Sequence, residues 1–473
     1  MLTCLIKTLP EISLIVGIIH LLIMFLVQNE NARAYSAMAR FWLLISIFFS
    51  ILYYNQSIND TYFINNAYTL LFIMFIGLAT YMLLAASVNW FSSQKRTGIK
   101  YDILILCVIL CAYALLSANN LISLLLSYIT LIILNYCLFK LNYEKQSSEP
   151  AFRYMGVSAG IILLFIISCG YLYIETLGNV SFGNIVDMAT KKTESIWMFM
   201  SLCGLIIPLF YSLGIAPFHM MLEEKAGKSI LPVSHYFAII LPLILWGTLF
   251  KLNNILYPLY AKSLSSSYMT FAFISIIFGA AGTGARINLY RIGAYSSLYH
   301  FGIILLLLSL GNQSAYFSAC IYLFAFMLAQ NCLYTSFYNL KSHGEYLTSV
   351  TALAGLSKHR SFTTATLLLS LFSMAGIPPL VGFLGQLNLV DELLDAQKYI
   401  SLVVILFFLL LLTKSYLGII KTVYFETQIK SFDTENKYIL FYLLVNVILM
   451  VLLTFNPLHI IEKMKDMFYV IYL

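Results

Sequence analysis

Apolar residues fall in long successive runs, separated by short polar stretches, along almost the whole chain. A run of about 20 apolar residues is the length that crosses the hydrocarbon core of a bilayer as a helix. Periodicity alone does not separate buried helix from buried strand, but run length does, and it assigns these runs to helix. The pattern predicts about fourteen spans, at 10–27, 37–54, 67–91, 101–117, 120–140, 153–175, 195–218, 230–252, 267–284, 292–311, 315–338, 361–388, 399–425 and 437–456. No stretch between them is polar enough to form a separate soluble domain, so residues 1–473 read as one integral membrane domain.

Two of the runs are interrupted. The seventh ends Leu213-Gly214-Ile215-Ala216-Pro217-Phe218-His219. The twelfth contains Ser373-Met374-Ala375-Gly376-Ile377-Pro378-Pro379, followed by Gly382-Phe383-Leu384-Gly385-Gln386. Proline removes a backbone donor and clashes with the preceding helical turn. Inside a bilayer such a break survives only where protein or trapped water satisfies the freed backbone groups. Paired breaks at corresponding places in two halves of a chain point to an inverted-repeat transporter. A pair of kinks packed against neighbouring helices is the plainer alternative. The matching spacing of Gly214 to Pro217 and of Gly376 to Pro378 and Pro379 favours the repeat.

Composition agrees with this class. Of the 473 residues, 61% are hydrophobic and 10% charged, against about 25% charged in a soluble domain. The net charge of +7 is no nucleic-acid signal, because the basic residues are scattered over many loops without a basic stretch interleaved with aromatics. Alternate loops differ instead: roughly 18 Lys and Arg lie in odd-numbered loops, Lys225 and Lys228 among them, against roughly 8 in even loops and tails. That bias places the odd loops on the inner side and both termini on the outer side. The eight cysteines, Cys4 and seven within apolar runs, show no Cys-x-x-Cys pair or Cys/His spacing, so no metal site is expected. The first apolar run is too long for a signal peptide, and no transit stretch precedes it.

Charged and titratable groups inside spans are the candidates for chemistry. Lys414 lies mid-span in the thirteenth run, with snorkelling to an interface as the rival reading. His235 and His300 lie within the eighth and tenth runs, and a histidine can switch near neutral pH; a core histidine with satisfied hydrogen bonds is the alternative for each. His219 is read as a loop contact at the inner end of the seventh span and Lys251 as a snorkelling side chain. Glu11 suits a helix N-terminus. Asp391 and Glu392 read as loop charges, and Arg291 as an anchor to a loop or an acidic lipid. The 34 tyrosines and 35 phenylalanines read as interfacial belts and bundle filling.

Several strings resemble one family, the antiporter-like membrane-arm subunits of respiratory complex I (proton-translocating NADH:quinone oxidoreductase), on the branch called subunit 2 or, in bacteria, subunit N. They are Leu9-Pro10-Glu11-Ile12, Ser117-Ala118-Asn119-Asn120-Leu121, Glu149-Pro150-Ala151-Phe152-Arg153-Tyr154, Gly214 to His219 with Pro232-Val233-Ser234, Asn288-Leu289-Tyr290-Arg291-Ile292-Gly293-Ala294-Tyr295-Ser296-Ser297, the Gly376 to Pro379 break, and Tyr424-Phe425. The resemblance implies an all-α polytopic membrane protein. Its parts would be N-terminal helices in 1–100, antiporter-like repeats in 101–252 and 267–425 with helices seven and twelve broken, and a C-terminal helix and tail in 437–473. It implies no cofactor in this chain, since NADH, FMN, iron–sulfur clusters and quinone belong to other subunits of such a complex. The implied partners are other membrane-arm subunits and membrane lipids.

In typical members a helix-five Glu pairs with a helix-seven Lys, and Lys residues in helices eight and twelve continue a proton relay. The resemblance puts Ile129 and Ser212 at the first two places. Pro242 and Leu243 fall at the helix-eight lysine and Gln386 at the helix-twelve lysine. None can carry a proton charge, so no residue is assigned a catalytic role, and Lys414, His235 and His300 stand as candidates for a substitute path. Two readings of function follow: a pump with rewired groups, or a structural subunit whose own pumping is reduced or absent, which the four substitutions favour. A cation/proton antiporter or membrane-bound hydrogenase subunit is the further alternative. The skew toward Ile, Phe, Tyr, Leu and Asn fits an AT-rich organelle genome, so the expected location is the mitochondrial inner membrane, with a bacterial plasma membrane as the alternative.

Overall fold

A computed structural model of the chain describes residues 8–27, 32–52, 58–59, 62–141, 148–191, 196–428 and 430–455. Cys4, the end of the second predicted span and the tail from 456 lie outside the described residues. The chain runs α1 (Leu9–Leu26), α2 (Ala32–Leu52), α3 (Ala67–Ser93), α4 (Ile99–Ser117), α5 (Leu121–Lys140), α6 (Ser148–Glu175), α7 (Phe182–Lys191), α8 (Ile196–Leu213), α9 (His219–Lys228), α10 (Leu231–Ala285), α11 (Leu289–Leu310), α12 (Gln313–Phe337), α13 (Ser361–Ala375), α14 (Val381–Asp395), α15 (Tyr399–Phe425) and α16 (Lys437–Phe455). Two short antiparallel hairpins, Ile58–Asn59 with Ile64–Asn65 and Lys341–Ser342 with Glu345–Tyr346, sit in loops. Among the described residues thirteen helical stretches are long and apolar enough to cross a membrane. The twelfth predicted span is divided into α13 and α14, each shorter than a bilayer crossing.

Polar residues at run boundaries start these helices. Asn66 accepts from Thr69 N and Asn120 from Ser123 N, and in each case the third residue's hydroxyl answers the cap nitrogen, a reciprocal cap that satisfies two orphan donors. Gly311 at φ +71° ends α11. The first half of α10, α11 and α12 are almost wholly buried at the centre of the bundle. In α1, α6 and α15, Leu26, Ile174 and Phe425 remain exposed, as expected of helices whose outer faces meet lipid rather than water. Helices α10 and α11 approach closely through small residues. A Cβ on Gly279 would lie 2.4 Å from the Tyr299 backbone nitrogen, and one on Gly302 would lie 2.8 Å from Ala272 O. Small residues at such crossings let backbones meet, which supplies the packing that hydrophobicity cannot supply in lipid.

The two halves carry the same bracket. Asn120, capping α5, pairs as an isolated bridge with Ser181, and Asn288, capping α11, pairs with Ser349. Leu121 N donates to Val180 O and Phe182 N to Asn119 O; at the corresponding offsets Leu289 N donates to Thr348 O and Val350 N to Ile287 O.

The structure changes three spans. The eighth and ninth spans run longer than expected, Leu231–Tyr257 and Tyr260–Ala285, and meet at a kink at Tyr260 (φ −137°, ψ 39°) in place of a loop from 253 to 266. Asn253, in the stretch expected as loop, is buried in the bundle. The seventh span does not end at 218 but resumes as α9, and a short helix, α7, packs Phe182 and Ile185 into the core between the sixth and seventh spans.

Candidate proton path

Both breaks are built alike. In the first, Gly214 takes φ +73°, its N–H bonds Tyr211 O at 3.1 Å and that of Ile215 bonds Phe210 O at 3.0 Å. In the second, Gly376 takes φ +74°, its N–H bonds Ser373 O at 3.0 Å and that of Ile377 bonds Phe372 O at 3.0 Å. Glycine is required at both by the left-handed backbone. Pro217 and Pro379 each follow a cis peptide bond, with Pro378 the residue before the latter. Side chains on the second half-helices reach back to the first: Lys225 Nζ lies 3.4 Å from Ser212 O, and Gln386 Nε2 lies 3.4 Å from Met374 O. Ser212 and Met374 each stand two residues before the break glycine.

Buried polar groups pair off beside both breaks and in the bundle core. Tyr128 donates to Pro208 O at 2.7 Å and sits 2.8 Å from Ser212 Oγ. Its counterpart in the second half is Ser296 Oγ, 3.9 Å from Met374 Sδ and hydrogen-bonded to the Tyr416 hydroxyl. Tyr236 donates to Asn135 Oδ1 at 2.6 Å. His235 Nε2 is 2.9 Å from Asn331 Oδ1, whose amide donates to Asn446 Oδ1 at 2.8 Å. Gln330 Nε2 donates to Gly293 O and Ser297 Oγ, each at 3.1 Å. His300 Nδ1 is 2.8 Å from the Tyr322 hydroxyl, and both line a small cavity with Ser373 and Gln386. Each histidine keeps its other ring nitrogen, His235 Nδ1 and His300 Nε2, without a partner among the described residues.

The family profile described as NADH:quinone oxidoreductase/Mrp antiporter, TM, matches residues 118–413. The chain belongs to this family. NADH-quinone oxidoreductase subunit N of Pelagibacter ubique is 28% identical over 436 residues, 90% of this chain and 91% of its own. A solved chain of respiratory complex I from Thermus thermophilus with bound aureothin superposes with a TM-score of 0.81 at 19% identity, covering 96% of this chain and 98% of its own. A chain of the Mrp complex from Dietzia sp. DQ12-45-1b gives 0.85 at 15% identity, covering 98% and 97%. These two structural likenesses carry the fold.

Five residues stand where the resemblance puts the relay. Ile129 is half-buried beside the fully buried Tyr128, Ser212 faces Tyr128, Pro242 and Leu243 are buried in α10, and Gln386 is half-buried against the second break. The structure thus brings Ser212, Gln386 and His300 to the breaks and buries His235 in the bundle core against Asn331.

It does not bring Lys414 there. That side chain is exposed, in an open groove of about 500 Å³ between α10, α11 and α15 that Arg286 also lines. A stretch of uniformly apolar residues does not reveal which of its faces packs within the chain, and Lys414 lies on an exposed one.

Other placements also differ from the sequence reading. Lys251 does not snorkel; its Nζ donates to Leu116 O at 3.0 Å and Ala118 O at 2.7 Å, closing the C-terminal end of α4. Glu392 is no loop charge but a buried residue of α14, accepting from Ser314 Oγ at 2.9 Å, Asn312 Nδ2 at 3.2 Å and Ser318 Oγ at 3.2 Å. Arg291 is anchored by Glu223 at 3.2 Å, and Arg286 shares that carboxylate at 2.8 Å. His219 opens α9 and stacks on Phe278 at 4.8 Å. The residue missed altogether is Lys225, counted among the inner-loop charges and found buried at the first break. Its signal was weak. It stands eleven residues after Gly214, about one more residue than Gln386 stands after Gly376, and only a superposition of the two halves exposes the match.

Proposed function

We propose that this chain is the subunit N (subunit 2) component of a proton-translocating NADH:quinone oxidoreductase, an antiporter-like part of the membrane arm that supports electron transfer from NADH to quinone coupled to proton translocation. The observation that carries the reading is the pair of alike breaks, each with buried polar pairs beside it, in a chain of this family. Electrons pass through other subunits, which hold FMN, the iron–sulfur clusters, NADH and quinone; this chain works on protons and on the mechanics of the arm. Its partners are the neighbouring membrane-arm subunits and membrane lipid. With neutral groups at the four family relay places, its own proton traffic runs through a reduced set of ionisable groups.

Affinity purification of the tagged chain from native membranes tests this. Recovery with an arm that contains flavin and iron–sulfur clusters and oxidises NADH is expected. Recovery with cation/proton-antiporter or hydrogenase partners, and no NADH-oxidising arm, would sink the reading. The AT-rich residue skew supports the mitochondrial inner membrane, with odd loops in the matrix. The bacterial source of the similar subunit N sequences favours a plasma membrane instead. Fractionation of the source cells decides: enrichment with inner-membrane respiratory markers supports the first, and enrichment with a bacterial envelope the second.

A further inference from the structure

We propose that Lys225 is the proton-carrying group of this subunit, placed on the second half of the broken seventh helix rather than on the first. The inference rests on the function proposed above and names the residue that performs its proton step.

The argument begins with the likeness of the two breaks. In each, a long side chain from the second half-helix donates to the carbonyl two residues before the break glycine: Gln386 to Met374 O, Lys225 to Ser212 O. The second break shows that a neutral amide is sufficient for this hydrogen bond. An ammonium there is therefore not required by the architecture. It is also costly, since a charge buried away from water without an ion pair is disfavoured.

Lys225 is almost fully buried and forms no ion pair among the described residues; neighbouring Glu224 is engaged by Arg153 and Lys228, and Glu223 by Arg286 and Arg291. Its Nζ faces the rings of Tyr154 at 4.8 Å, Phe237 at 5.5 Å and Tyr211 at 6.0 Å. Ring faces and one long hydrogen bond hold an amine loosely enough that it can gain or lose its proton, the property that suits buried lysines to acid–base work. The other cations near the breaks are committed or outside: Lys251 to two carbonyls, Arg286 and Arg291 to Glu223, and Lys414 in an exposed groove.

The step balances simply. The lone pair of the Lys225 amine forms an N–H bond to a proton from a hydronium ion arriving at the Glu224 end of α9, leaving water. When the N–H bond breaks, the proton passes to a water on the Tyr128–Ser212 side, which becomes hydronium, and the neutral amine returns. No electron moves.

The test uses the intact complex in sealed liposomes, with proton uptake and NADH:quinone turnover measured together. Lys225→Gln copies the second break and keeps the carbonyl hydrogen bond. It is expected to assemble with normal flavin and iron–sulfur content, and to lose NADH-driven proton uptake by at least about tenfold, below the 10²–10⁴ typical of positioned proton transfer. NADH oxidation by an artificial acceptor at the peripheral arm should be unchanged. Lys225→Arg keeps charge and donors but does not release its proton, so the same loss is expected; should the Gln variant not assemble, the Arg variant decides. Proton uptake by either assembled variant within about twofold of wild type overturns the proposal, since a real proton carrier contributes far more than that. A wild-type chain found without an NADH-oxidising arm is a different failure, that of the function assigned above.

Discussion

The close crossing of α10 and α11 gives a prediction whose size can be worked from the structure. Gly279 is buried where α10 crosses α11, and an added Cβ would stand 2.4 Å from Tyr299 N, 2.7 Å from its Cα and 2.8 Å from its Cβ. Ordinary contacts begin at 3.4 Å, and the obstacle is backbone, which cannot turn aside as a side-chain tip can. Gly279→Ala must therefore push the two helices apart by about 1 Å, in a region packed to crystal-like density. Overpacking of this kind costs about 1–3 kcal/mol. Gly302, whose Cβ would meet Ala272 O at 2.8 Å and Ile276 N at 3.0 Å, belongs to the same crossing, so relief on one side is resisted on the other. Gly156 in α6 has nothing within 4 Å of its Cβ position, and Gly156→Ala should be neutral or stabilising, because alanine favours helix over glycine by about 0.8–1.0 kcal/mol. The assay is the thermal midpoint of the purified complex, together with the fraction of chain recovered in it. A lower midpoint and recovery for Gly279→Ala, with none for Gly156→Ala, is expected. Equal behaviour of the two would refute the close-crossing argument.

Other substitutions test single contacts. Lys251→Met removes the charged donor from Leu116 O and Ala118 O and should cost about 1.5–3 kcal/mol, read as a lower thermal midpoint; no change would mean that water replaces the ammonium. Glu392→Ala strips the shared acceptor from Ser314, Asn312 and Ser318 and should cost about 1–3 kcal/mol, with Glu392→Gln retaining part of the stability in the same measurement. Glu223→Ala frees Arg286 and Arg291; for partly exposed pairs about 1 kcal/mol is expected, and the loss should shrink in high salt. Lys414→Gln touches only an exposed groove and should leave NADH-driven proton uptake at wild-type level, with stability within about 0.5 kcal/mol; a large loss of uptake would return Lys414 to the proton path.

The sequence by itself determined the solvent of this protein. Apolar runs with so few charges cannot fold in water, and their length makes them membrane helices. Both breaks were legible too, because glycine and proline act on the local backbone wherever the helix later packs. That Ile129, Ser212, Pro242, Leu243 and Gln386 are neutral is plain from the sequence, and their assignment to relay places rests on motif spacing alone. Tertiary structure decided what each polar residue meets. In a soluble protein, apolar and polar faces mark inside and outside. In a bilayer both faces of a helix are apolar, so the pattern that located the spans carried no information about their rotation or neighbours. That is why Lys414, mid-span in the sequence, faces outward, while Lys225 and Glu392, read as loop charges, are buried. It is also why a loop was expected where α10 continues through Asn253. The correspondence of Lys225 with Gln386 lies between two segments far apart in the chain, and becomes visible only when both half-helices have folded back onto the carbonyls that the breaks expose.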